Sequence, residues 1–172
     1  MLGVIVLALA VAAGAAFVFL RPSGDVELPS GFGDLTKIDN DQTQQVVDSF
    51  VQELEAIDVE GDMAMYGSGT PTAALMWIRD ASVPTTDAAF DEFASGFDSG
   101  IGSDAALDRT RRTSEVIDGV TFVCAPVVSV APGSICMWQD EGIFWLLFDF
   151  SGNRLQAGQD LAVVASGVVD SD

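Results

Sequence analysis

The first twenty residues, MLGVIVLALAVAAGAAFVFL, contain no charged side chain. At about 1.5 Å rise per residue, a helix of this length covers the roughly 30 Å hydrocarbon core of a bilayer. A charge-free run so long is more than one face of a small domain can bury, so it predicts a membrane span. A cleaved secretory signal is the competing reading, and Ala8-Leu9-Ala10 would suit a signal peptidase. Against it, the apolar run continues through Phe17-Val18-Phe19-Leu20 and no basic residue precedes it. The sequence therefore predicts an uncleaved single-pass anchor over residues 1–21. No cysteine follows the run to accept a lipid. Arg21 alone, by the positive-inside tendency, would hold its end of the span in the cytoplasm.

Residues 22–38 are rich in Pro, Gly and Ser and lack periodicity, which predicts a linker. Residues 39–172 are then one domain-sized unit. Asp39, Asn40 or Asp41 can cap a helix whose apolar face carries Val46, Val47, Phe50, Val51, Leu54 and Ile57. Asp62–Tyr66 and Ala73–Arg79 flank the turn residues Gly67–Pro71 and predict a strand pair. Thr85 or Thr86 begins a second helix with Ala88, Ala89, Phe90, Phe93 and Phe97 as its inner stripe. Asp98–Asp108 reads as an exposed loop, the segment most prone to local disorder. From Thr113 the pattern turns β-branched and aromatic, with Asp118-Gly119, Pro132-Gly133, Glu141-Gly142 and Ser151-Gly152 as turn signals. Leu155, Leu161, Val164 and Val168 mark a closing helix. The predicted fold class is α+β: a mainly antiparallel sheet with about three packing helices, placed on one face.

Cys124 and Cys136 are the only cysteines. An even count behind an export-type N-terminus predicts one disulfide in an oxidising compartment, with two buried free thiols as the alternative. This places the N-terminus in the cytoplasm and the domain outside it. A two-residue turn at Pro132-Gly133 would set Cys124 opposite Glu141, so the bond requires a longer loop. Pro126, which has no N–H to donate, is expected to end that ladder early.

Around Cys136-Met137-Trp138-Gln139-Asp140 the sequence resembles a group of uncharacterised actinobacterial membrane-anchored cell-envelope proteins. They have a Cys and a second Cys that opens a Cys-x-Trp-x-Asp motif. Cys124, Cys136, Trp138 and Asp140 stand at the matching places, and Met65-Tyr66-Gly67 is similar to an earlier Tyr-Gly of that group. The likeness covers about the last 110 residues of the 172. It implies an exported α+β domain and a cellular address, without an activity.

The composition excludes several kinds of chemistry. There is no histidine, which removes the commonest general base and the commonest metal ligand. Seven basic against 26 acidic residues give a net charge of −19, and no basic patch can form for nucleic acid. Lys37 is the sole lysine and lies at the linker, so no serine has a conventional activating base. Asp39-Asn40-Asp41, Asp58–Asp62 and 98–104 are oxygen-rich but none follows the EF-hand spacing. Met63 and Met65 offer thioethers, which on a strand are packing groups more often than copper ligands. No catalytic residue, cofactor or metal is expected. The acidity is read as keeping an envelope protein soluble and off anionic headgroups, with a halophilic source as the alternative.

Two features point to partners. Gly3 and Gly14, with the alanines between them, give the span a small-residue surface on which helices can approach closely in lipid. The run Ile143–Phe148, with Trp138, is bulkier than a half-buried strand. Trp138, Phe144, Trp145 and Phe148 are thus a candidate interface, or else a central strand covered on both sides. The functional expectation is a non-enzymatic accessory subunit of a larger membrane complex of the actinobacterial envelope, a respiratory cytochrome assembly being one candidate host. It would contact integral membrane subunits and the bilayer, and no nucleic acid. The alternative is a membrane-tethered extracytoplasmic ligand-binding module, which requires a deep apolar pocket of roughly several hundred Å³.

Overall fold

The structure, a computed structural model, describes residues 26–56, 58–79, 85–100, 105–129, 133–140, 142–152 and 155–169. Residues 1–25 lie outside this set, and with them the expected span, Gly3 and Gly14; Ile57 lies outside it too. Among the described residues no helix is long and apolar enough to cross a membrane.

In chain order the elements are β1 (Gly31–Phe32), β2 (Leu35–Lys37), α1 (Asp41–Ala56), β3 (Glu60–Gly67), β4 (Pro71–Arg79), α2 (Thr86–Gly100), β5 (Ala105–Leu107), β6 (Thr113–Ile117), β7 (Val120–Ser129), β8 (Gly133–Asp140), β9 (Ile143–Asp149) and α3 (Leu155–Val169). A 3-10 turn, Arg109–Arg111, separates β5 from β6. The strands form one sheet in the order β1-β2-β3-β4-β9-β8-β7, with β5 and β6 end to end along the outer edge of β7. Every pairing is antiparallel.

Local chemistry sets the helix starts. The Asn40 carboxamide oxygen accepts from the N–H groups of Gln42 and Thr43, and the Thr43 hydroxyl accepts from the Asn40 N–H. This reciprocal cap satisfies the donors at the opening of α1. At the start of α2 the Thr85 hydroxyl accepts from the Ala88 N–H. The α2 stripe is shifted from the expected one: Ala88 is exposed, while Ala89, Phe90, Ala94 and Phe97 are buried.

Side chains alternate across the sheet and both faces are covered, which corrects the expectation of helices on one face. Phe50 and Leu54 of α1 and Phe90 and Phe97 of α2 pack on Met63, Met76, Ile135, Met137, Phe144, Leu146 and Phe148. On the other face Ala162 and Ala165 of α3, with Phe32, pack on Tyr66, Leu75, Trp77, Cys136, Trp138, Trp145 and Leu147. A strand pointing apolar groups both ways must be central, and β9 is central between β4 and β8.

Three further expectations are corrected. The segment 22–38 is more than a linker: it supplies β1, β2 and the buried Phe32, while Val26 and Leu28 pack on the α3-side core. The expected loop 98–108 is cut short at both ends, since α2 runs to Gly100 and β5 starts at Ala105; residues 101–104 are outside the described set. Finally, α3 meets the sheet with Gly158, Gln159, Ala162, Ala165 and Ser166, leaving Val164 45 % exposed. Proximity is the reason at position 158: a Cβ there would collide with the Ser134 hydroxyl, so only glycine fits at that point.

Candidate functional site

Cys124 and Cys136 are bonded and stand directly opposite each other on β7 and β8, with Cα atoms 4.1 Å apart. Val127 pairs with Gly133 in the same register, so the connection is longer than two residues, as the bond requires. Pro126 does not end the ladder, for it remains paired with Ser134. Its carbonyl accepts from the Asp108 N–H, on the side away from β8. In an antiparallel ladder a residue turns both backbone groups to one neighbour. The missing N–H of Pro126 thus falls where the outer edge breaks between β5 and β6, and costs no ladder bond.

The candidate interface residues lie in the interior. Trp138, Phe144, Trp145 and Phe148 are 0, 3, 3 and 2 % exposed. Phe144 and Phe148 face α1 and α2, whereas Trp138 and Trp145 face α3. The bulk of Ile143–Phe148 is thereby explained by burial on both faces of a central strand, which corrects the interface expectation. All three tryptophans of the chain stand in one row, Trp77 opposite Trp145 and Trp145 opposite Trp138. The Trp138 ring also lies 5.8 Å from that of Phe122. The indole N–H groups of Trp77 and Trp138 are buried without an acceptor.

Polar side chains are largely engaged in holding elements together. Arg112 pairs with Asp87 and Asp91 of α2, the latter at 2.6 Å, and lies over the Phe90 ring. Gln159 of α3 donates to the Glu115 carboxylate at 2.8 Å. Asp108 caps the 3-10 turn, and hydrogen bonds from Thr110, then Arg111, hold its carboxyl below the usual range. Burial pushes the Tyr66 phenol above its ordinary range, with Asp62 adding to the effect, and its hydroxyl donates to the Pro29 carbonyl at 2.8 Å. A neutral phenol committed to a structural bond is not poised for proton transfer.

No group of three or more His, Cys, Asp or Glu able to hold a metal occurs among the described residues. Met63 and Met65 pack on the α1 and α2 side of the core. A recess of about 170 Å³ lies beside β3, lined by Lys37, Asp39, Thr43, Asp62, Met63 and Met65 among others. Its charges of both signs and its size distinguish it from the deep apolar pocket a ligand module needs.

The remaining surface feature is β6. It pairs only with β7, and Val116 is 70 % exposed, the most exposed large hydrophobic among the described residues. The turn signal Asp118-Gly119 separates it from β7. No family model matches the chain, and no curated protein or solved structure is significantly similar to it.

Proposed function

We propose that the chain is a single-pass membrane protein whose acidic α+β domain lies outside the cytoplasm and serves as a non-enzymatic accessory subunit of a larger membrane complex. The likeness at Cys136–Asp140 supports an actinobacterial envelope as its setting, and a respiratory cytochrome assembly is one candidate host. The observation that carries the reading is the run Met1–Leu20, twenty residues without a charge, joined to a folded domain. Its small-residue surface, with Gly3 and Gly14, suits close packing against other spans. The Cys124–Cys136 bond supports an oxidising compartment, and hence the outward orientation.

Gentle detergent extraction from native membranes, followed by identification of what co-migrates with the chain, tests this. Co-migration with integral membrane subunits, lost when residues 1–20 are replaced by an unrelated anchor, is the expected result. A chain that runs as a free monomer, unchanged by that replacement, refutes the subunit reading.

A further inference from the structure

The two-residue turn at Asp118-Gly119 has φ values of 53° and 90°, the left-handed pair that joins adjacent antiparallel strands tightly. It makes Ile117 and Val120 a hydrogen-bonded pair, so Thr113, Glu115 and Ile117 turn their backbone groups toward β7. Ser114 and Val116 therefore turn theirs outward. The disulfide agrees with this parity: Cys124 faces β6 with its backbone, and its close approach to Cys136 is that of a pair without ladder bonds. The backbone groups of Ser114 and Val116 have no partner among the described residues.

Exposed edges are usually blunted by Lys, Pro, a bulge or brevity. The sheet's opposite edge, β1, is two residues long. Thr113-Ser114-Glu115-Val116-Ile117 is five residues long, regular in register and free of Lys and Pro. Behind it, β7 is bonded covalently to β8, so the edge is held rigidly. Its charge is acidic: Glu115 lies on the α3 side, bound by Gln159, and Asp118 is exposed at the turn. On the α2 side Asp87 and Asp91 share the single guanidinium of Arg112, so one negative charge remains there too.

We propose that β6 is a docking strand that takes an extended segment of another protein, bearing a basic side chain opposite Glu115, as an added strand of the sheet. A second copy is a poor occupant. The register that mates Ser114 with Val116 of the copy sets Glu115 against Glu115 of the copy and joins two chains of −19 each. The proposal rests on the accessory-subunit reading and assigns the surface through which the domain is held.

The test uses the full chain in detergent and two capped peptides, Thr-Val-Arg-Val-Thr and Thr-Val-Glu-Val-Thr, with amide hydrogen exchange at Ser114 and Val116 as readout. The expected result is slowed exchange at both amides with the Arg peptide, and about fivefold weaker binding of the Glu peptide, the size of one cross-strand charge pair. Glu115→Lys should reverse that preference. Val116→Pro removes an N–H that no strand among the described residues uses, so it should leave the fold intact and abolish binding. No slowing with the Arg peptide, equal binding of both peptides, or protection without peptide that grows with protein concentration overturns the proposal, the last assigning the edge to a second copy. If the chain co-migrates with a membrane complex and Val116→Pro does not alter this, the docking strand fails while the subunit reading stands. If it runs alone yet binds the Arg peptide, the subunit reading fails and the docking strand stands.

Discussion

Trp138 and Trp145 stand opposite each other on β8 and β9 with ring planes 9° apart and centroids separated by 6.1 Å. Two residues before Trp138 on the same face, Cys136 closes the disulfide. Offset stacking adds about 1 kcal/mol to what burial of such rings already contributes. Trp145 also stands opposite Trp77 of β4 in the register, and all three tryptophans share one core. Trp145→Ala should cost about 3–5 kcal/mol in urea unfolding, and Trp145→Phe clearly less. A loss below about 1 kcal/mol for the alanine variant would mean that the row does not hold β4, β9 and β8 together.

The disulfide closes a short segment, with 12 residues of sequence separation. The chain-entropy account gives about 3 kcal/mol for a loop near this length. Replacing Cys124 and Cys136 together by serine should lower the unfolding midpoint accordingly, in a protein that still folds. Peptide mapping without reductant should return the two cysteines as one cross-linked pair, and recovery of both as free thiols would remove the main support for export.

The closeness of α3 to the sheet gives a prediction with an internal control. Gly158→Ala should destabilise by about 1–3 kcal/mol, because the methyl meets the Ser134 hydroxyl and α3 must lift. That hydroxyl is buried with no partner, so Ser134→Ala alone should be neutral or stabilising. Combined, the two changes should cost less than the sum of the singles. Strict additivity in a double-mutant cycle would place the helix farther from β8 than the structure does.

What the sequence revealed followed from period and punctuation. Asn40, Thr85 and Asp118-Gly119 each carry a local mechanism, and each marks a cap or a turn where expected. Which face a helix covers is not local, and periodicity could not assign α3 to the side opposite α1 and α2. Its inner stripe is Gly158, Ala162, Ala165 and Ser166, at spacings of four, three and one. Of the apolar residues at helical spacing, Leu155, Leu161 and Val168 do pack on the core at its margin, and only Val164 is exposed. Phe144 and Trp145 suggested a surface: a surplus of bulk signals either an interface or a second covering layer, and only topology distinguishes the two. The edge at β6 has no strong compositional mark, since what defines it is that no strand among the described residues lies beyond Ser114 and Val116.

The buried phenol of Tyr66 gives a pH dependence whose sign can be worked out. Its ring lies 4.6 Å from that of Phe32, and its hydroxyl donates to the Pro29 carbonyl, which ties the segment before β1 to β3. Burial raises its pKa in the folded chain above the unfolded value of about 10. A group whose pKa rises on folding contributes stability that is fully present below the unfolded pKa and declines as pH climbs beyond it. The protein should therefore lose stability progressively above about pH 10 through this group. Tyr66→Phe should remove that component of the alkaline decline, at a cost of about 1 kcal/mol at neutral pH for the lost hydrogen bond. Urea midpoints for both proteins at pH 7 and at successive steps above pH 10 decide the matter. If the two curves run parallel into alkali, Tyr66 ionises as freely in the folded chain as in the unfolded one, and the segment 26–32 is not closed over it.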